Sequence, residues 1–433
     1  MPTRREFVRS AAVAGAAVAA RGLPLAAASD QLRVALIGCG GRGRQVLSSF
    51  VAQPDVRITA VCDVYAPFRE KAAAVAPEAV AVADYRRVLD RQDVDAVIVA
   101  TPDHWHALQT VHACAAGKDV YVEKPLSLTV REGRAMVQAA RTHRRVVQTG
   151  SQQRSGPHYA KARDLIRAGA IGYVHHVSAG FARNAMPGFV AREIKGGLPG
   201  TLDWDMWLGP APAVPFDPFR CIYHFRWFWP YSGGQMTNWG AHHLDIARWV
   251  LGADGASSVS GLGGRYAIRD GGETPDVQEV LYDFPGASLG APGCVVTWSA
   301  REIGRGRGEP LEFHGTTGTL SVDRRGVKIT PEGWEGDGED RKTPKADPLD
   351  EQPAPDLTLL HVRNFLDCVK SRAVPVADVE EGHRSAAMCH LGNIATRLRR
   401  SIRWDPVAES IAGDPEAAGL LHYEYRAPWR LDT

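Results

Sequence analysis

The sequence predicts an α/β protein whose first part is a doubly wound parallel sheet of the Rossmann type. Between residues 32 and 149, short apolar runs of strand length alternate with helical patterns. This order places helices on both faces of a parallel sheet. The first apolar run ends in a glycine-rich turn. With 433 residues, 44% of them hydrophobic, the chain is long enough for a second domain with its own core.

The first domain is assigned to residues 29–150. Strands are predicted at residues 32–37, 58–62, 79–82, 96–100, 120–122 and 145–149. Helices are predicted at residues 67–75, 85–90 and 130–143, and a further helix ends at Gly117. Open α/β sheets bind ligands beyond the carboxyl ends of their strands, so the residues that follow each strand are the first candidates for a site.

The turn after the first strand, Gly38 to Gly43, has the GxGxxG arrangement between a strand and a helix. Its glycines allow a tight turn, the close approach of a diphosphate and the packing of the helix on the sheet. The second strand ends at Asp63, whose carboxylate would accept hydrogen bonds from ribose hydroxyls and repel a 2′-phosphate. NAD is therefore predicted rather than NADP, although Arg69 lies nearby; a turn without a nucleotide is the alternative. The candidate cofactor-binding residues here are Gly38, Gly40, Arg42, Gly43 and Asp63.

Two further strand ends carry candidate residues. The fourth strand ends in TPDHWH, and we expect Thr101, Pro102 and His106 to cover the cofactor, while His104 either does the same or caps the next helix. The fifth strand runs directly into Glu123 and Lys124, which are also placed at the cofactor. Pro125 can adopt a cis bond, which would aim Lys124 across the nicotinamide position.

Residues 1–28 are predicted to be a signal peptide for twin-arginine export. Arg4 and Arg5 precede an uncharged run of small residues, and residues 26–28 match an A-x-A cleavage site. A basic amphipathic helix is the alternative. The apolar run is shorter than the roughly 20 residues of a membrane-spanning helix. We therefore expect a periplasmic or otherwise exported protein without a membrane anchor.

Net charge indicates which kind of molecule the protein binds, and the cysteine pattern indicates whether disulfides are present. Removal of residues 1–28 leaves 47 basic and 48 acidic side chains, a net charge of −1 in place of +2. A near-neutral chain without a basic stripe favours a small-molecule partner over nucleic acid or a membrane surface. The seven cysteines include no CxxC pair, and we expect them to be unpaired core residues.

The second domain is assigned to residues 151–401, and a tail that docks through aromatic residues to 402–433. Strands are predicted at residues 257–261, 277–284, 294–300, 311–314 and 319–322, a mobile loop at 331–355, and helices at 357–370 and 379–399. Aromatic and basic residues are concentrated between residues 152 and 231 and suit a sugar ligand, although bulky aromatics often serve as core. The candidate substrate-binding residues are Arg154, Arg226, Trp227, Tyr231 and His242.

A helix that begins near residue 239 would place Asn238, His242 and Asp245 on one face. Asp245 would then orient His242 or remain an exposed carboxylate. His243 is rotated from His242 by about 100°. No HExxH motif accompanies this pair, so we assign no metal ligands and keep a metal site as the alternative.

Taken in order, GCGGRG, TPDHWH, VEKP and GAHHLDIARWVLG resemble the motifs of the Gfo/Idh/MocA oxidoreductase family, whose members include glucose-fructose oxidoreductase and inositol dehydrogenase. The resemblance covers most of the chain after residue 28. It implies a Rossmann domain, then a larger α/β domain with an open, mostly antiparallel sheet. It also implies a sugar or polyol substrate between the domains and assembly as a dimer or tetramer.

By position, Lys124 matches the catalytic lysine of that family and His242 the histidine of its second-domain helix. An aspartate often precedes that histidine by four residues, whereas Asn238 can bind a hydroxyl but cannot take its proton. The expected function is hydride transfer between bound NAD and a sugar, glycoside or polyol, with Lys124 and His242 sharing the proton. The alternatives are a glycosidase that oxidises its sugar transiently and a non-catalytic sugar-binding protein.

Overall fold

The structure is a computed structural model that describes residues 31–190, 202–285, 292–304, 309–332 and 346–431. The predicted signal peptide, residues 1–28, lies outside the described residues. Within the described ranges, none of the helices combines the length and the apolar composition that a membrane crossing requires.

The first domain contains the predicted parallel sheet. Its strands are β1 Leu32–Ile37, β2 Val56–Cys62, β3 Val80–Val82, β4 Ala96–Val99, β5 Asp119–Val122 and β6 Val147–Thr149. Its helices are α1 Gly41–Val51, α2 Ala66–Val75, α3 Tyr85–Leu89, α4 Asp103–Ala115 and α5 Val130–Thr142. The strand order is β3-β2-β1-β4-β5-β6, with all neighbours parallel. The doubly wound fold is confirmed, and the order reverses between β1 and β4, where such sheets open a crevice for ligands.

Helices form where the sequence supplies caps and an apolar face. Helix α5 begins with a capping box, in which the Thr129 hydroxyl accepts from the backbone N–H of Glu132 and the Glu132 carboxylate accepts from the N–H of Thr129. Strands β4 and β5 are buried along their whole length because helices cover both faces of the sheet.

The second domain is built on a ten-stranded sheet. Its strands are β7 Val174–Ala182, β8 Ser258–Gly264, β9 Val277–Pro285, β10 Gly293–Arg301, β11 Glu309–Gly315, β12 Gly318–Val322, β13 Val327–Pro331, β14 Leu349–Glu351, β15 Ile402–Asp405 and β16 Ser410–Ile411. Its helices are α6 Pro157–Arg167, α7 Trp204–Leu208, α8 Ala241–Leu251, α9 Leu357–Ser371, α10 Val379–Leu398 and α11 Pro415–Gly419.

The strand order of this sheet is β14-β13-β12-β11-β7-β10-β9-β8-β15-β16. Strands β7 and β10 are parallel, and the other neighbours are antiparallel. The open, mostly antiparallel sheet that the resemblance implies is therefore confirmed.

The structure adds strands that the sequence reading did not predict. Strand β7 lies in the middle of the sheet, but adjacent His175 and His176 interrupt its alternation of buried and exposed residues. The predicted loop at 331–355 contains the short edge strand β14, while residues 333–345 lie outside the described residues. The segment assigned to the tail adds β15 to the edge strand β8.

The two domains share core residues. Helix α9, which follows the large sheet in the chain, packs Phe365 against Phe50 of α1 and Tyr121 of β5, with ring centroids 6.1 and 5.9 Å apart. These rings are fully buried. The contact fixes the Rossmann sheet relative to the second domain.

Candidate active site

A cavity of about 560 Å³ lies between the domains, at the carboxyl ends of β1, β2, β4 and β5. Cavities of roughly 300–1,000 Å³ are typical of small-molecule and cofactor sites. The predicted site residues that line it are Gly38, Gly40, Arg42, Asp63, Thr101, Pro102, His106, Glu123, Lys124, Arg226, Trp227, Asn238 and His242. Three others, Gly43, Arg154 and Tyr231, do not line it.

The glycine turn fits a dinucleotide diphosphate. Gly38 has a φ of +94°, and a Cβ there would lie 2.5 Å from the carbonyl carbon of Ala100. A Cβ on Gly43 would lie 1.9 Å from the Gly38 oxygen, so this glycine allows α1 to pack on the sheet rather than facing the cavity. A Cβ on Gly41 would meet nothing within 4 Å, which leaves the N-terminus of α1 open to an anion.

Asp63 is held at the end of β2 by two backbone N–H groups. Its Oδ2 accepts from Cys39 at 2.7 Å and its Oδ1 from Tyr65 at 2.8 Å. Burial raises the pKa of Asp63 to about 6, so the carboxylate is ionised at neutral pH. Arg69 donates to the backbone oxygen of Asp63 at 2.5 Å. Asp63 thus places an anionic carboxylate in the wall of the cavity, an arrangement that fits the ribose of NAD.

Replacing Asp63 with alanine is expected to weaken NAD binding by about 10- to 100-fold, because charge-assisted hydrogen bonds to the ribose are lost. The same change removes the repulsion of a 2′-phosphate, so the ratio of NAD to NADP affinity should fall. Calorimetry on nucleotide-free protein measures both affinities, with the exposed Glu78→Ala as the control. An unchanged ratio would contradict the assigned role of Asp63.

Two interactions connect the loops around the cofactor end of the cavity. Arg42 Nε donates to Glu123 Oε1 at 2.8 Å, which joins α1 to the end of β5. The ring nitrogens of His106 lie 2.7 Å from the Pro125 oxygen and 3.0 Å from the Thr101 oxygen. His106 therefore connects the loop after β4 to the loop after β5, which contains Lys124.

Lys124 faces Asn238 across the domain boundary. Its Nζ donates to the backbone oxygen of Asn238 at 2.9 Å and to Asn238 Oδ1 at 3.1 Å. Asn238 lies in a π-helical turn, Met236–Gly240, that leads into α8, and such turns recur at functional sites. Desolvation in the cavity lowers the pKa of Lys124 to about 8, against the opposing charge of Glu123. The peptide bond between Lys124 and Pro125 is cis.

A chain of hydrogen bonds fixes the amide of Asn238. Asn238 Nδ2 donates to Gln235 Oε1 at 3.2 Å, and Gln235 Nε2 donates to Glu302 Oε1 at 2.6 Å. Glu302 is fully buried and also accepts from Trp227 Nε1 at 3.0 Å. The amide oxygen of Asn238 is therefore directed toward the lysine, and its nitrogen away from it.

His242, on the first turn of α8, is a neutral imidazole at physiological pH. Burial lowers its pKa well below the usual histidine range, and the charge of Lys124 lowers it further. Among the residues that the structure describes, its Nδ1 has no hydrogen-bond partner. Both expectations for Asp245 are corrected: its carboxylate is buried rather than exposed, and it binds Arg154 and Ser385 rather than His242.

Arg154 and Tyr231 are corrected from substrate-binding candidates to structural positions. The Arg154 guanidinium is buried, with Nε 2.9 Å from Asp245 Oδ2 and Nη2 3.0 Å from Glu381 Oε2. Tyr231 is 1% exposed, and its ring packs on those of His104 and Trp207. Both side chains contact residues that are far away in the sequence. The residue types alone do not reveal these contacts.

His104 likewise does not line the cavity. Its Nε2 lies 3.0 Å from the backbone oxygen of Trp207, and the ring is fully buried. Arg226 and Trp227 do reach the cavity wall, from the 3₁₀ turn His224–Trp227.

Sequence reasoning missed two arginines of the cavity. Arg183 directly follows β7, and Arg324 lies in the turn between β12 and β13. Neither belongs to a motif, and only the strand order of the large sheet brings them together. Within the described ranges there is no group of three or more His, Cys, Asp or Glu side chains placed to hold a metal.

The fold and the cavity define a two-domain dinucleotide-binding protein with a lysine and a neutral histidine at the domain boundary. Family models match both domains: the oxidoreductase family with NAD-binding Rossmann fold over residues 32–151, and its C-terminal domains over 165–261 with 344–431 and over 214–321. The chain belongs to the Gfo/Idh/MocA oxidoreductase family, and its first domain is the NAD-binding domain of that family.

The chain is similar to proteins of several descriptions. It is 30% identical to the scyllo-inositol 2-dehydrogenase (NAD(+)) of Bacillus subtilis over 54% of this chain, and it spans 57% of that relative's length. It is 34% identical to a glycosyl hydrolase family 109 protein of Saccharopolyspora erythraea, over 33% of this chain and 38% of the relative. Levoglucosan dehydrogenase in complex with NADH shares the fold, with a TM-score of 0.66, 18% identity, and coverage of 86% of this chain and 99% of that one.

Proposed function

We propose that this protein is an NAD-dependent oxidoreductase acting on a hydroxyl or carbonyl carbon of a sugar, glycoside or polyol. The observation that carries the proposal is the Lys124 ammonium bound to Asn238, in one cavity with the glycine turn and His242. Similarity to the NAD(+)-dependent scyllo-inositol dehydrogenase supports the substrate class. NAD, when bound, supplies a carbon that accepts or returns a hydride.

The residues of the cavity indicate which groups transfer the proton and which bind the substrate hydroxyl. In oxidation, neutral Lys124 Nζ takes the proton of the substrate hydroxyl, and in reduction the ammonium returns it. His242 lines the same cavity, where its neutral imidazole can form a hydrogen bond with a substrate hydroxyl. Asn238 cannot take a proton, so it positions the lysine and the hydroxyl through its oxygen. A lysine pKa of about 8 suits a base that works near neutral pH.

The proposal is tested on the purified protein without residues 1–28. Nucleotide released on denaturation is identified by mass spectrometry, and NADH formation is followed with a panel of sugars and polyols. We expect bound NAD and substrate-dependent reduction. A protein that binds no nicotinamide nucleotide would refute the proposal, and sugar binding without hydride transfer would identify a non-catalytic sugar-binding protein.

The pKa of Lys124, about 8, predicts a pH dependence. Oxidation needs the neutral amine, so kcat/KM for oxidation should rise with pH and level off above about 8. Reduction needs the ammonium and should fall over the same range. The pKa of His242 lies far lower, so His242 does not contribute to this limb. Rates in both directions across the pH range provide the measurement; a limb at the ordinary lysine pKa would contradict the assignment.

A glycosidase that acts by transient oxidation is the second candidate, favoured by Asn238 and by similarity to a glycosyl hydrolase family 109 protein. The sugar carbon would be oxidised, the aglycone would be eliminated, water would add to the resulting double bond, and the carbon would be reduced again, so that the cofactor returns to its starting state. Cleavage of a nitrophenyl glycoside without net NADH formation would select this function. Net NADH formation without cleavage would reject it.

We further propose that the protein is exported by the twin-arginine pathway in the folded state, with NAD already bound. Support comes from Arg4 and Arg5 ahead of the small-residue run, and from seven cysteines that are all buried and unpaired. Replacing both arginines with lysine is expected to retain the precursor in the cytoplasm, as measured by cell fractionation. Periplasmic recovery of this variant at the level of the unaltered protein would contradict the proposal.

Homo-oligomer formation is proposed through the outer face of the ten-stranded sheet. Leu262, Leu281 and Val295 lie on this face and are exposed. Apolar side chains in such a position favour contact with a second copy. Analytical ultracentrifugation should show a dimer or tetramer, and a monomer would contradict it.

A further inference from the structure

Three arginines of the second domain line the cavity beside Lys124 and His242. They are Arg183, Arg226 and Arg324, and they come from the end of β7, the 3₁₀ turn and the turn between β12 and β13. Separate segments of the fold thus contribute side chains of the same charge to one cavity.

Within the described part of the chain, these guanidiniums form no ion pair. Among the described residues, no carboxylate lies within ion-pair distance of any of the three, whereas the adjacent Arg325 pairs with Asp323 at 2.7 Å. The carboxylates that line the cavity already have partners: Asp63 accepts from Cys39 and Tyr65, Glu123 from Arg42, and Asp103 from Ser232. Among the described residues, the three guanidiniums therefore bring positive charge to the cavity without an ion-paired carboxylate.

Aromatic rings hold the three guanidiniums in place. Each guanidinium carbon lies 4.5 to 5.4 Å from the centroid of a ring that also lines the cavity: Arg183 over Phe189, Arg226 over Phe225 and Tyr223, and Arg324 over Trp239. On Arg226, Nη1 also donates to the backbone oxygen of Tyr223 at 3.1 Å. Stacking covers the flat face of a guanidinium and leaves N–H groups at its edge available as donors. Those donors match the paired oxygens of a carboxylate or a phosphate.

The same charges reach the reacting end of the cavity. The charge of Arg226 contributes to lowering the pKa of Lys124, and that of Arg324 to lowering the pKa of His242. A ligand anion bound between them would therefore lie within electrostatic range of the proton-transferring groups.

We propose that the natural substrate is an anionic saccharide, whose carboxylate or phosphate is bound by Arg183, Arg226 and Arg324. This inference rests on the oxidoreductase function proposed above and names the class of sugar that the same site takes. Neutral polyols would leave the three guanidiniums without a counter-charge, a costly arrangement once substrate has excluded water from the cavity.

The test compares sugars that differ only in charge. NAD-loaded protein is assayed with neutral hexoses and with the hexuronates and hexose 6-phosphates of the same stereochemistry. We expect kcat/KM for the best anionic sugar to exceed that of its neutral counterpart by about 10- to 100-fold. Preference for hexuronates identifies a carboxylate, and preference for hexose phosphates identifies a phosphate. Equal or better use of neutral sugars would overturn the proposal.

Variants locate the anion site. Arg183→Gln, Arg226→Gln and Arg324→Gln should each lose most of the preference through a higher KM for the anionic sugar. Arg325→Gln is the matched control, since Arg325 is ion-paired and does not line this cavity. If all four variants keep the preference, the three arginines do not form the site.

Calorimetry separates this inference from the oxidoreductase function. If no sugar is oxidised, the binding of each sugar to the NAD-loaded protein is measured directly. Selective binding of anionic sugars would sustain the anion site while contradicting the oxidoreductase. Equal binding of neutral and anionic sugars, or no binding of anionic sugars, would overturn the proposed anion site.

Discussion

Lys124→Ala is expected to lower kcat by about 10²- to 10⁴-fold, the usual contribution of one positioned acid or base. The loss should be large because Asn238, where a proton-accepting aspartate could stand, takes no proton. His242, with a pKa far below neutral, is a weak base by comparison. Steady-state rates with the best substrate provide the measurement, and the released nucleotide shows whether NAD still binds.

The control for this variant is Lys161→Ala, which removes a half-exposed lysine on α6 that pairs with Glu351. It should keep the full rate. A folded, NAD-loaded Lys124→Ala protein with unaltered kcat would remove the lysine from the chemistry.

Arg154→Met is expected to lower the free energy of unfolding by about 3–5 kcal/mol, the cost of leaving a buried charge without its partner. The side chains of Arg154 and Asp245 are 2% and 1% exposed, so little water could compensate the Asp245 carboxylate. Urea unfolding measures the change. The double change Arg154→Met with Asp245→Leu should recover part of the loss because no lone charge remains at that pair.

Arg131→Met, an exposed position on α5, provides the comparison and should be near neutral. An Arg154→Met protein of full stability but with a raised KM for sugar would restore Arg154 to the substrate site. That result would reject the structural role assigned from its contacts.

The first domain could be predicted from sequence because its signals are local. Each strand is a short apolar run, and the residues that follow it, such as Asp63 and Lys124, lie at the same edge of the sheet by the rules of parallel topology. Strand β7 was not predicted, because its central position in the sheet depends on strand order. In addition, His175 and His176 interrupt its alternation of buried and exposed residues.

The site residues that belong to a single sequence motif could be predicted. The spacing of Asn238 and His242 placed both on one helical face, and both line the cavity. Arg154 was misplaced because its neutralising partner is 91 residues away, and its sequence neighbours gave no sign of that contact. Arg183 and Arg324 were missed for a similar reason, since only the assembled sheet brings them to the same cavity.

The most direct test of the central claim follows deuterium from substrate to cofactor. NAD-loaded protein is incubated with a mixture of carbon-deuterated hexoses, inositols and hexuronates, and the released nucleotide is examined by mass spectrometry. We predict deuterated nicotinamide with the unaltered protein, and little or none with Lys124→Ala. Equal labelling in both proteins, or no label with the unaltered protein, would contradict lysine-assisted hydride transfer in this cavity.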